Sequence, residues 1–306
     1  MGVTVVNLVE RTERPVLTAD PAQHQIVGCQ WASTTHLVCT LLVASQYPRA
    51  GAPPMAMLSA RLVAVDVRTA MSRMLQDDGR PYSVDRFMSS QLLAVRPNDP
   101  DHVLIASAQR WSITERTIEP RVDRVSLVDD SRTRVQAGRN GIDRWLADPN
   151  GDVRVGLSIN RSSGRLSVLR EGEWQSTLIG SVGGEYDFEA LFVDARGERL
   201  LIAARAGVNT RGVHELDAGT GRITRTLFAD PARDFLGSVL VTDGEPQALL
   251  AHSDRWHFVP LTDEWRALAK ELAAVMPEQG LVPWTTDHSG QTFTVRSTVP
   301  HVPTTG

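Results

Sequence analysis

The sequence predicts an all-β protein, a β-propeller of four-stranded antiparallel blades, six or seven in number and incomplete at the ends, with one short helix near 262–276. Two interleaved repeats carry this expectation. In the first, an aromatic or aliphatic residue leads into a turn rich in Asp, Asn, Pro and Gly, and an alternating apolar strand follows. Trp145 leads through Asp148 and Gly151 to Val153, Val155 and Leu157, and Phe192 through Asp194 and Gly197 to Leu200 and Ile202. Leu240 leads through Asp243 and Gly244 to Ala248 and Leu250, and Trp284 through Asp287 and Gly290 to Phe293 and Val295. Looser copies open at Trp31 and Ala94. The markers Trp31, Ala94, Trp145, Phe192, Leu240 and Trp284 are 63, 51, 47, 48 and 44 residues apart, and propeller blades run to about 40–50 residues.

The second repeat puts Asn7, Asp66, Asp129 and Asp217 at strand ends, with Thr12, Thr69, Ser131 and Thr220 close behind. Short acidic or amide side chains suit such turns because they hydrogen-bond the nearby backbone and tolerate left-handed conformations. One inner and one outer hairpin per repeat make four strands. A single sheet of that kind leaves apolar faces and open edges exposed, and stacking sheets face to face buries them.

In chain order the reading is an outer hairpin at 2–18, blades at 25–76, 86–138, 142–180, 188–228 and 236–260, and an inner hairpin at 281–306, all in a single domain over 1–306. Within the sheets, Val155, Leu157, Leu201, Ala203, Leu249 and Ala251 are expected on the innermost strands. The end hairpins either join to complete one blade or belong to a larger ring cut at both ends. The abrupt opening strand and the ending at Val302 to Gly306 lead to the expectation of a truncated chain. Between blade and last hairpin, Thr262 can cap a helix whose Trp265, Leu268, Leu272, Val275 and Met276 share one face. Packing on the propeller rim is its expected role, and docking a partner domain is the alternative.

The chain is 42% hydrophobic and 22% charged, ordinary for a globular protein with a core. A net charge of −4 argues against nucleic acid as a partner. Lys270 is the one lysine among 32 basic residues, a bias attributable to coding composition; an arginine-lined groove for carboxylates is the functional alternative. No apolar run approaches the roughly 20 residues of a membrane span, so no membrane partner is expected. The first residues lack the pattern of a signal peptide, which makes the chain cytoplasmic as written and leaves its compartment unknown. Cys29 and Cys39 flank the turn at Ala32 to Thr35; two buried free thiols are the expected state, with a cross-strand disulfide the alternative.

No residue is assigned a catalytic, cofactor-binding or metal-binding role, and no cofactor is expected. The Gly-x-Ser-x-Gly turn that exposes a nucleophilic serine is missing, and Asn160 to Gly164 reads as a turn. No phosphate-cradling glycine loop or Cys/His metal spacing occurs. His252 and His257 bracket Asp254, Arg255 and Trp256, a polar edge on one hairpin with a structural reading.

The run Glu185 to Ala204, with Asp187, Phe188, Glu189, Asp194 and Gly197, then Asn209 to Asp217, with Arg211, His214 and Glu215, resembles the N-terminal propeller of the prolyl oligopeptidase family of serine peptidases. The resemblance is closest to its bacterial dipeptidyl aminopeptidase and acylaminoacyl peptidase-like members. Phe228 to Pro231, Asp254 to Phe258 and the helix continue it in order, over about 142–306. It implies an α/β-hydrolase catalytic domain as partner, in cis or in trans, and a propeller that gates or selects short peptides without catalytic residues of its own. A free-standing propeller that scaffolds protein partners is the alternative.

Overall fold

The computed structural model describes residues 2–7, 12–20, 24–49, 51–75, 90–96, 98–109, 119–129, 131–159, 164–179, 188–252, 256–275, 281–286 and 293–297. The chain divides into two compact units, Met1–Trp145 and Leu146–Gly306.

In the first unit, β1 (Gly2–Asn7) and β2 (Thr12–Thr18) form a two-stranded sheet. Then β3 (His24–Trp31), β4 (His36–Arg49), β5 (Ala52–Asp66) and β6 (Met71–Met74) form a four-stranded sheet in that order. A second four-stranded sheet contains β7 (Ser90–Val95), β8 (His102–Gln109), β9 (Glu119–Ser126) and β10 (Arg132–Gln136). The sheet of β11 (Arg144–Ala147), β12 (Val153–Ile159), β13 (Gly164–Arg170) and β14 (Glu173–Ile179) opens the second unit. It is followed by β15 (Glu189–Val193), β16 (Arg199–Ala204), β17 (Gly212–Asp217) and β18 (Arg222–Phe228). A three-stranded sheet of β19 (Gly237–Thr242), β20 (Glu245–His252) and β21 (Trp256–Pro260) comes next, then helix α1 (Asp263–Val275) and the pair β22 (Leu281–Thr286) and β23 (Phe293–Ser297). Every pairing is antiparallel.

The fold is the all-β propeller class that the repeats predict, with a blade count of five rather than six or seven. Four sheets have four strands and one has three. The hairpins β1–β2 and β22–β23 hydrogen-bond only within themselves among the described residues, so the described strands make five blades. A second correction concerns Val155, Leu157, Leu201, Ala203, Leu249 and Ala251. They lie on β12, β16 and β20, each the second strand of its sheet, and not on an edge strand. Their apolar character follows from having a strand on either side and a neighbouring layer packed on the face they occupy.

Alternation along β16 shows how the layers stack. Leu200, Ile202 and Ala204 bury against Val155, Leu157, Leu166 and Val168 of the preceding sheet. Ala203, on the opposite face, joins Phe235, Leu249 and Ala251 of the following one. In the first unit Val38, Leu62 and Ala64 meet Val103, Ile105 and Val125. The other face of that sheet, with Leu37, Cys39, Leu41, Val63 and Val65, is covered by Val16 and its neighbours on β1–β2. Side chains also stitch adjacent sheets by donating to backbone carbonyls: Arg73 to Ser126 at 2.6 Å, Arg132 to Leu75, and Thr177 to Gly219 at 3.2 Å. The helix closes one face of the three-stranded sheet, where Trp265 packs with Leu240, Ala248 and Leu250.

The repeated Asp turns are built as their residue types dictate. Asp148 Oδ1 accepts from the N–H groups of Asn150 and Asp152 at 2.9 and 3.0 Å, and Gly151 takes the left-handed φ of 79°. Asp194 repeats this with Glu198 and Arg199, and Gly197 at φ 69°. The copy at Asp243-Gly244 is instead a two-residue hairpin with both residues left-handed, φ 49° and 77°, the primed turn that suits strand twist. Outer turns follow their own pattern. The N–H groups of Ala70 and Gly221 donate to the carbonyls of Asp66 and Asp217 at 2.8 Å each, with φ 58° and 68°. Glycine adopts that conformation freely; alanine does so at a cost of about 1 kcal/mol. Ala70→Gly is therefore expected to stabilise the first unit by about 0.5 kcal/mol once glycine's unfolded-state entropy is set against the relief. The check is the urea midpoint at unchanged slope; a lower midpoint would show that Ala70 is unstrained.

The cysteines correct a further expectation. Cys29 and Cys39 are direct partners in the β3–β4 ladder, with Cα atoms 4.0 Å apart, and form a disulfide in place of two free thiols. Directly opposed residues on neighbouring antiparallel strands project from the same face, and the near-equal reach of the two cysteines from the Ala32 to Thr35 turn creates that opposition.

Candidate functional site

Antiparallel order gives each sheet two unlike ends. At one end lie the compact turns 32–35 and 67–70, 98–101 and 127–129, 148–152 and 171–172, 194–198 and 218–221, and 243–244, most of them built on an Asp. Among the described residues the other end carries 205–211 within one sheet and the segments 137–143 and 229–236 that lead from one sheet to the next. Connections are where recognition residues concentrate on a rigid scaffold. On the sheet β15–β18 two of these connections, 205–211 and 229–236, are fully described.

They are tied together. Arg211 N–H donates to Asp234 Oδ1 at 2.8 Å, Arg205 donates to Asp234 Oδ2 at 3.1 Å, and Phe235 N–H donates to the Arg211 carbonyl at 2.7 Å. Thr210 Oγ1 donates to the Asp230 carbonyl at 2.6 Å. The Arg211 guanidinium pairs with Glu189 at the start of β15; its side chain is 11% exposed against 45% for Glu189. The Arg211 Nε is buried without a hydrogen-bond partner. The Arg211 backbone N–H is the main cause that holds Asp234 below the usual carboxylate range; burial opposes it, and the Arg205 guanidinium adds to the lowering. Exposed Val208 and Leu236 flank these pairs. Two glycines permit the close approach of chains underneath. A Cβ on Gly212 would lie 2.6 Å from the Phe228 carbonyl oxygen, and one on Gly237 would lie 1.8 Å from that of Leu250.

His214 is buried directly below. The Ala204 carbonyl, at 3.1 Å, can only accept, so Nε2 carries the proton and Nδ1 accepts the Thr226 hydroxyl at 3.0 Å. Burial pushes its pKa down. A base whose folded pKa is depressed is held neutral in the native state, so its contribution is complete above the unfolded value near 6.5 and fades as pH falls below it. The second unit is expected to lose stability as pH falls below about 6.5, with a shallower slope in His214→Gln. Urea midpoints across that range test this, and equal slopes would remove His214 as the cause.

The arrangement offers paired charges with apolar flanks: a surface that can recognise polar, extended ligands. His36 contacts the Thr35 and Ser33 hydroxyls, His214 contacts Thr226 and His102 contacts the Asp99 carboxylate. None of these three histidines hydrogen-bonds both a hydroxyl and a carboxylate, the relay that activates a serine nucleophile. Among the described residues no group of three His, Cys, Asp or Glu is placed to hold a metal ion, and no helix is long and apolar enough to cross a membrane. His252 and His257 pair with Trp256 and Ala251 respectively on β20 and β21, so they point to opposite faces and do not converge; Asp254 and Arg255 lie outside the described residues, as does most of the Asn160 to Gly164 turn. Sequence reading passed over Arg205 and Asp234, and named Glu189 and Arg211 only within the stretch of resemblance and not as a pair. The available signal was the arginine-lined groove, and its carboxylate partners fall in separate connections.

The sheets define a propeller blade, and its connection-rich end carries the Glu189–Arg211 and Arg205–Asp234 pairs. Solved structures similar to this chain include a prolyl endopeptidase, at 14% identity and TM-score 0.47, with 82% of this chain and 36% of that one covered. An acylaminoacyl peptidase from Pyrococcus horikoshii is similar at 11% identity and TM-score 0.44, covering 92% and 44%. The tricorn protease is similar at 9% identity and TM-score 0.40, covering 93% and 32%. The chain thus spans less than half the length of each of these proteins. No protein-family profile matches the chain, and no curated protein matches it.

Proposed function

We propose that this chain is the propeller part of a prolyl oligopeptidase-like serine peptidase, selecting short peptides for an α/β-hydrolase domain that supplies the chemistry. In this reading the two units make one propeller domain over 1–306. The observation that carries it is the Glu189–Arg211 pair: both residues belong to the stretch that resembles the peptidase propeller, and they meet at the connection-rich end beside exposed Val208 and Leu236. A carboxylate half exposed to solvent and a guanidinium nearly covered can hold the charged and amide groups of a short peptide, while the apolar flanks suit its side chains.

The test has two arms. The purified chain is treated with a fluorophosphonate probe, and no serine is expected to label; labelling would place a nucleophile here and overturn the reading. The gene is then sequenced on both sides of this segment, and the hydrolase-containing polypeptide or neighbouring product is assayed on short peptides. Arg211→Ala is expected to raise KM about tenfold or more with a smaller change in kcat, the signature of lost binding. An absent hydrolase partner would transfer the proposal to the free-standing scaffold reading.

A further inference from the structure

The edge strand β3 differs from the first strand of every other blade. Its eight side chains include none that is buried, whereas β7, β11, β15 and β19 each bury at least one. It hydrogen-bonds to one neighbour, β4, and its ladder is interrupted between Ile26 and Gly28, immediately before Cys29. At the interruption Val27 is 59% exposed, and a side chain at Gly28 would meet nothing within 4 Å. A ladder interruption is shared with β7, β15 and β19; what sets β3 apart is its little apolar burial together with the disulfide it carries.

We propose that Cys29–Cys39 is a redox latch on β3: closed, it keeps the edge strand on its blade, and opened, it releases the strand while the rest of the fold persists. The two sulfurs are not equivalent. Cys39 is fully buried with Leu37, Leu41, Val63 and Val65, while Cys29 is half-buried on the edge strand. A small thiol reductant therefore attacks the Cys29 sulfur. The sulfur–sulfur bond breaks, Cys39 leaves as a thiolate and takes up a proton, and a second reductant thiol resolves the mixed disulfide. Two cysteine thiols and one oxidised reductant disulfide result. A thiolate leaving into apolar surroundings leaves slowly, so opening is governed by how often β3 lifts from the blade. The latch is closed in an oxidising compartment and open in a reducing one. Release of β3 uncovers the backbone edge of β4, which can then pair with another strand.

The experiment compares the whole chain before and after excess dithiothreitol by intact mass and by hydrogen exchange read by mass spectrometry. Expected are a mass lower by two hydrogens before reduction, and exchange at least tenfold faster in peptides spanning 24–31 and 36–43 after it. Peptides spanning 62–66, 103–107, 153–159 and 199–204 remain protected, and reoxidation restores the original pattern. A Cys29→Ser, Cys39→Ala chain is expected to show the fast pattern in both conditions; because reduction of the native chain gives the same readout, failure of that variant to fold does not decide the matter. Absence of the mass difference, unchanged exchange in β3, or loss of protection across all the reference peptides would each overturn the latch.

Discussion

Asp123→Ala is expected to destabilise the first unit by about 3–5 kcal/mol, the range for removing one partner of a buried ion pair. The Asp123 side chain is 3% exposed, and its Oδ2 accepts from Arg121 Nε at 2.9 Å and from Arg132 at 3.1 Å. Those arginine side chains are themselves only 14% and 18% exposed. Without the carboxylate, two guanidiniums face each other in a site that has little water to hydrate them. Arg132 also donates to the Leu75 carbonyl of the preceding sheet, so its displacement loosens the stacking of β3–β6 on β7–β10. Asp123→Asn keeps the shape and one acceptor and is expected to lose less, with increased sensitivity to salt. Urea denaturation of both variants tests this, and a loss below about 1 kcal/mol would mean that the pair is solvated, as surface pairs are.

Trp265→Ala is expected to remove about 3–5 kcal/mol from the second unit, as large aromatic truncations in cores do. Trp265 is 4% exposed and stacks at 5.9 Å from Phe258 over Leu240, Ala248 and Leu250. It is the anchor of a helix of 13 residues, a length at which isolated helices are marginal in water. Loss of the anchor therefore melts the helix as well as opening a cavity. Circular dichroism near 222 nm follows the first effect and thermal denaturation the second; a stable variant with its helical signal intact would show that Leu268 suffices. Trp265→Phe retains most of the buried area and is expected to lose less than half as much.

The legible part of this protein is the part written in local chemistry. Asp148 with Gly151, Asp194 with Gly197, and Asp217 with Thr220 specify their turns through side chains that reach backbone N–H groups two to five residues away, so each turn is readable in a short window. Thr262 and the acidic residues that follow marked the helix by their types, although the Thr262 hydroxyl donates to Gln247 Oε1 at 3.1 Å. Glu189 and Arg211 are 22 residues apart and meet only because β15, β16 and β17 pair in a particular register. Their types carry no trace of that meeting, and the abundance of arginine hid it further.

By itself, then, the sequence determined the strand class, the turn chemistry and the helix, because periodicity and short-range hydrogen bonding act within a few residues. Tertiary structure decided that the blades among the described residues number five, that β12, β16 and β20 sit inside their sheets rather than at an edge, and that Cys29 and Cys39 stand opposite each other closely enough to bond. It also brought Arg205, Arg211, Glu189 and Asp234 to one end of one blade. These are matters of register and stacking between segments distant in the chain, where free energy depends on which surfaces meet and not on what either segment prefers alone.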